Sequence, residues 1–190
     1  MKHSTLVVVA AITVTGALGA APVAVAIDDG NAPGIENFSR IDKSVGFAGS
    51  PVGFGGATQS TAMPWLASEG FTTVINLRLA SEDGVDVDGG RAAAETAGLN
   101  YVHLPFDPGD PQQATVDQFL TAAGDKEKQP VYIHCKSGTR AAALWMIGRV
   151  LEDGWEIDAA GEEAKAIAGD PDKAVALARA YLASQGNGDP

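Results

Sequence analysis

Val131-Tyr132-Ile133-His134-Cys135-Lys136-Ser137-Gly138-Thr139-Arg140 is the stretch from which the rest of the chain is read. Its first four residues read as a strand buried in a sheet. A tight loop follows, opening with the chain's single cysteine and closing with an arginine. A helix is then expected from Arg140 to Glu152, stopped by Gly154. A thiol at such a junction faces loop N–H groups and the positive end of a helix dipole, and both favour thiolate over thiol. Gly138 lets the loop curl around an anion, and Arg140 offers a planar fork to two of its oxygens. The loop thus combines a nucleophile, Cys135, with an anion cradle made of Lys136, Ser137, Gly138, Thr139 and Arg140. That combination points to phosphate-ester chemistry.

Outward from this loop, apolar runs alternate with helical segments. Phe71 to Leu77 is β-branched and reads as an inner strand, and Asn100 to Leu104 reads as another. Phe47-Ala48-Gly49 suggests a short first strand, and the glycine-rich Ser50 to Gly56 a loop. Helices are expected from Ser60 or Thr61 through Glu69, from Arg91 to Ala97, from Thr115 to Ala123, and from Pro171 through Ala183 with Asp170 as its cap. The alternation predicts an α/β fold with a central, largely parallel sheet of four to five strands flanked by helices. Ligands of such sheets sit beyond the carboxyl ends of the strands, where Cys135 falls.

The ends read differently. Met1-Lys2-His3 is a basic start, Leu6 to Ala26 is uncharged and apolar, and Ala24-Val25-Ala26 is a small-x-small cleavage pattern. Residues 1–26 are therefore expected to be a secretory signal, which places the chain in the periplasm or outside the cell. Residues 27–44 read as an extended lead-in, 45–183 as the domain and 184–190 as a disordered tail. The whole chain carries 13 basic and 24 acidic residues. Without Lys2 the balance becomes 12 against 24, a net charge of −12. That charge argues against nucleic acid or an anionic membrane as partner, and it repels an anionic substrate at a distance. A phosphate pocket must therefore win locally. The acidic loop Ser81 to Gly90, with Asp83, Asp86 and Asp88, lacks the spacing of a calcium loop and reads as solvated.

A leaving alkoxide or phenoxide needs a proton, so a carboxylic acid is expected near the cysteine. Asp107 is the first candidate and Asp110 the second, both on the loop after the neighbouring strand. Their plainer reading is as turn residues beside proline and glycine. His134 precedes Cys135 on a strand, so it points to the opposite face and is expected to make structural hydrogen bonds. Trp145 and Met146 read as core.

At these residues the chain resembles the cysteine-dependent phosphatases of the tyrosine and dual-specificity class. It resembles more closely the bacterial phosphatase-like family named after beta-lactamase hydrolase. The likeness runs from about Phe47 to Gly154 and includes Gly70 to Arg78, Ala97 to Pro105 and His134 to Arg140. It implies a dual-specificity-phosphatase-like fold and a cysteine nucleophile at Cys135. It also implies phosphate binding by Arg140 and the loop amides, a phosphorylated substrate, and neither metal nor cofactor. Four residues separate Cys135 from Arg140, one fewer than the usual phosphatase loop. The bacterial family shares this short loop, and so do many rhodanese-type sulfurtransferases. Ala141 stands where a Ser or Thr hydroxyl usually eases departure of the thiolate. A sulfurtransferase carrying sulfur on Cys135 and a catalytically weak anion-binding module are the competing readings.

Overall fold

The computed structural model describes residues 25–27 as backbone, and 32–44 and 46–186 in full. Most of the expected signal segment and the last four residues lie outside the described residues. Six strands form one sheet: β1 (Val25–Ile27), β2 (Ser39–Ile41), β3 (Val52–Gly55), β4 (Thr73–Asn76), β5 (Asn100–His103) and β6 (Val131–His134), in the order β1-β2-β3-β6-β4-β5. The four strands β3, β6, β4 and β5 are parallel, while β1 and β2 add an antiparallel edge.

Two expectations near the start need correcting. Phe47-Ala48-Gly49 is not a strand, and Ser50–Gly56 is not simply a loop: β3 lies inside it. Gly53 and Gly55 alternate along β3 and so face the same side. A Cβ on Gly55 would lie 2.0 Å from the Tyr132 hydroxyl, and one on Gly53 would lie 2.6 Å from the Phe71 ring. The glycines are there so that aromatic rings can lie flat across the strand.

The helices are α1 (Met63–Ser68), α2 (Val87–Thr96), α3 (Gln113–Gly124), α4 (Thr139–Leu151), α5 (Ile157–Ile167) and α6 (Pro171–Ser184). Helix α5 went unread in the sequence. Asp170 caps α6 through the Lys173 N–H (3.1 Å), as expected. Two apolar layers sandwich the sheet. Ile133, Ile75, Leu77 and Phe54 pack on one face with the residues of α4, α5 and α6. Tyr132, Val74 and Phe71 pack on the other with Leu66 of α1 and Ala94 of α2. Every residue of α4 from Thr139 to Arg149 is buried, because α5 and α6 cover the side that the sheet does not. The chain after β6 thus turns to one face and the chain after β4 to the other. Between such diverging strands an open α/β sheet forms its crevice.

Candidate active site

The cysteine loop occupies that crevice. Cys135 is buried, and its Sγ accepts the Gly138 N–H at 3.2 Å. Gly138 has φ of +88° and caps α4, a conformation that favours glycine. The loop is braced from outside: Lys136 O accepts the Ala57 N–H (2.9 Å), and Ser137 O accepts from Asn37 Nδ2 (3.4 Å). In a trans peptide the N–H lies opposite the carbonyl, so the Ser137 and Gly138 amides turn inward toward the sulfur side. Gly169, between α5 and α6, presses on the same loop. A Cβ there would stand 2.0 Å from Ser137 O. The Ser137 and Thr139 hydroxyls lie 3.0 Å apart.

Arg140 is buried and held firmly. Its Nη1 donates to Leu77 O (3.2 Å), Phe106 O (3.2 Å) and Glu82 Oε1 (2.6 Å), and its Nη2 to Glu82 Oε2 (2.9 Å). This fork-to-fork pairing fixes one edge of the guanidinium and leaves Nε and the second Nη2 hydrogen for an anion. Burial works against the charge of Arg140. Glu82 and the neighbouring Cys135 sulfur outweigh it and pull its pKa above the ordinary value. Burial likewise opposes ionisation of Glu82, but the bonds from Arg140, the Leu79 N–H and Arg78 prevail and lower its pKa to about 2. Glu82 also accepts from Arg78 Nε at 3.3 Å, so one carboxylate serves two arginines.

A cavity of about 370 Å³ opens over the loop. Lys136, Ser137, Thr139 and Arg140 line it, with Leu79 and Pro108 among the other walls. Four of the five expected cradle residues thus share one cavity, while Gly138 and the buried Cys135 do not line it. Asp107 is exposed and accepts the Gly109 N–H (2.9 Å), in the turn that its plainer reading described. Its neighbour Pro108 forms the cavity wall, whereas Asp107 and Asp110 do not line it. Two lining carboxylates, Glu82 and Asp170, escaped the reading of the sequence as site residues. Glu82 was hidden in the acidic loop. The available signal was its place beyond β4, beside the strand that carries Cys135, since an arginine at a helix start needs a carboxylate to hold it. Asp86 of that loop caps α2 by accepting the Gly89 N–H (2.8 Å). Ala141 is fully buried and brings no hydroxyl.

His134 does face away from Cys135, stacking on Tyr132 at 5.7 Å. Among the described residues neither ring nitrogen has a partner in good hydrogen-bond geometry, although the backbone of Cys135 and Gly56 lies close to the ring. The Tyr132 hydroxyl pairs with Thr58 instead (2.8 Å). Burial lowers the His134 pKa to about 4, against the smaller opposite pull of the Cys135 and Gly56 backbone.

Residues 55–152 match the phosphatase-like domain of the beta-lactamase hydrolase-like proteins. The chain belongs to this family. It is 30% identical over 115 residues to the beta-lactamase hydrolase-like protein of Agrobacterium fabrum, covering 60% of this chain and 25% of that one. The chain thus spans about a quarter of the length of that curated relative. Its fold is that of TpbA from P. aeruginosa (TM-score 0.57, 21% identity, 80% of this chain and 91% of that one), whose Cys-to-Ser form was solved with phosphotyrosine. It is also that of the core catalytic domain of the PP-IP phosphatase SIW14 from S. cerevisiae (TM-score 0.58, 16% identity, 82% and 96%). The family makes this a phosphatase-like domain, and its fold is the one that TpbA and the SIW14 core share. They favour neither the sulfurtransferase nor the bare anion-binding reading.

Proposed function

We propose that this domain hydrolyses phosphomonoesters through a cysteinyl-phosphate. The supporting observation is the Arg140 edge left open by Glu82, set beside inward-turned amides over Cys135. The cradle holds the phosphoryl oxygens in the 370 Å³ cavity. The Cys135 thiolate attacks phosphorus, and the ester P–O bond breaks. Asp107, on the loop whose Pro108 walls the cavity, gives the leaving oxygen its proton. Water then attacks phosphorus, the S–P bond breaks, and Asp107 takes the water proton back. Thiolate and inorganic phosphate result. The TpbA complex supports phosphotyrosine as the substrate type to try first.

We extend the proposal to export, on the strength of residues 1–26. Cleavage after Ala26 would remove two of the three residues of β1, which pairs only with β2 at the sheet edge. The parallel strands around the site would be untouched. Mass spectrometry of envelope and medium fractions should find a mature N-terminus at Ile27; full-length protein confined to the cytoplasm would refute this.

The chemical proposal is tested with an aryl phosphate, and separately with thiosulfate plus a sulfur acceptor. Phosphate release should be abolished in Cys135→Ser, and vanadate should shield the wild-type thiol from alkylation. Thiocyanate formation without phosphate release would overturn it. Asp107→Asn should slow esters of poor leaving groups more than good ones. Equal loss on both, or selective loss in Asp170→Asn instead, would move the acid role elsewhere.

A further inference from the structure

One peptide plane sets the amide that meets the sulfur. Gly138 N–H donates to Cys135 Sγ at 3.2 Å, and the other end of the same peptide is the Ser137 carbonyl. In a planar trans peptide the two ends point in opposite directions and cannot turn independently. Whatever holds the Ser137 carbonyl therefore aims the Gly138 N–H.

Two residues outside the loop hold that carbonyl. A Cβ on Gly169 would stand 2.0 Å from Ser137 O and 3.1 Å from Ser137 C, so the glycine backbone lies directly against this group. Asn37 Nδ2 donates to the same oxygen at 3.4 Å, and it lies 3.3 Å from the Gly169 Cβ position. Asn37 has φ of +51°, a left-handed conformation that asparagine tolerates better than most residues. Its segment is pinned in turn: Glu36 O accepts the Gly56 N–H (2.6 Å), and the Glu36 N–H donates to Ala57 O (3.0 Å). Neither Asn37 nor Gly169 falls within residues 55–152, the span of the family match.

Gly169 lies outside the left-handed region, so space rather than backbone strain decides what fits there. The corner it occupies has little slack. It joins the end of α5 to α6, whose cap Asp170 accepts the Lys173 N–H (3.1 Å), and both helices pack on α4. The 137–138 peptide can swing by small changes in the dihedrals on either side of it, which is the softer motion. A methyl group at 169 would therefore push Ser137 O aside and turn the Gly138 N–H off the sulfur.

We propose that Gly169 and Asn37 are positioning residues for Cys135: they clamp the Ser137 carbonyl from outside and so keep the Gly138 N–H on the sulfur. The inference does not rest on the phosphatase reading, because thiol reactivity is measured without a phosphate ester. Cys135 is the chain's only cysteine, so alkylation of the full chain by iodoacetamide reports on it alone. In Gly169→Ala the pH at which alkylation reaches half its maximal rate should rise by about 1 pH unit, the effect of one lost hydrogen bond to an anion. Asn37→Gly keeps the left-handed backbone and removes the donor. Its midpoint should rise by about 0.3 pH unit, because the bond is long and exposed. The Gly138 amide resonance should move in both variants, while circular dichroism stays that of the wild type. An unchanged midpoint in folded Gly169→Ala would overturn the proposal, and so would a raised midpoint with the Gly138 amide unmoved. If Gly169→Ala does not fold, an unchanged midpoint in Asn37→Gly overturns it.

Discussion

Glu82 takes one edge of the Arg140 guanidinium with both carboxylate oxygens, so the angle of the free edge is set before any anion arrives. A glutamine at 82 keeps the size but can accept only through its single oxygen, and its NH₂ would confront Nη2. Glu82→Gln is therefore expected to lower kcat/KM for an aryl phosphate by about 10²-fold, the cost of a misplaced binding group. Retention of full activity would show that Arg140 is positioned by Leu77 O and Phe106 O alone. Ala141 carries a second prediction. With no hydroxyl at position 141, directly after Arg140, to donate to the departing sulfur, breakdown of the cysteinyl-phosphate should be the slow step. Stopped-flow assays should then show a stoichiometric burst, and Ala141→Ser should raise the steady rate while leaving burst amplitude unchanged. Glu82 also shows what a sequence conceals at this scale. Cys135, Gly138 and Arg140 stand within one loop and announce their chemistry by spacing. Glu82 is 58 positions away from Arg140 and is joined to it only by the adjacency of β4 and β6.

At the scale of elements, the readable ones were those whose own residues decide them. Val131–Ile133 is apolar, Asp170-Pro171 is a helix start, and Gly70 and Gly98 are helix stops with positive φ. Strand β3 was unreadable because its glycines answer to Tyr132 and Phe71, which are distant in sequence. The same holds for Arg149, in the last turns of α4. Its side chain is fully buried, donating to Glu163 Oε2 of α5 (2.8 Å), to Asp153 Oδ2 (2.8 Å) and to Ser44 Oγ (2.9 Å). Its guanidinium lies 4.4 Å from the Trp145 ring and 4.3 Å from the Trp155 ring. One residue thereby ties α4, α5 and the segment before β3 together. Arg149→Met leaves the Glu163 carboxylate buried without its main counter-charge. It should reduce unfolding free energy by about 3–5 kcal/mol in urea titrations. A loss below about 1 kcal/mol would mean that the Trp145 Nε1 donor (2.6 Å) suffices for Glu163.

Across the whole molecule, two titratable groups near the carboxyl edge of the sheet, His134 and Glu82, govern its response to acid. His134 titrates at about 4 in the fold against 6.5 when unconstrained, because burial disfavours its cation. The unfolded chain takes up that proton first, so stability should fall as pH drops from about 6.5 to about 4, by roughly 3 kcal/mol. Glu82 works in a lower window. Its folded value of about 2 lies below the ordinary 4.5, so its contribution is complete above about 4.5 and is lost as pH falls toward 2. Urea midpoints measured across this range should decline in wild type, and the upper part of the decline should vanish in His134→Phe. An unchanged slope in that variant would assign the acid sensitivity to other groups.

The chain's three tryptophans turn this architecture into an optical instrument. Trp145 and Trp155 flank one guanidinium in the α4–α5 layer, while Trp65 packs edge-on against Phe38 at 5.1 Å on the other side of the sheet. Intrinsic fluorescence therefore samples both layers without a label. Replacing Trp65 with phenylalanine would leave emission reporting on the cysteine-helix side alone, so the order in which the two layers loosen can be followed directly.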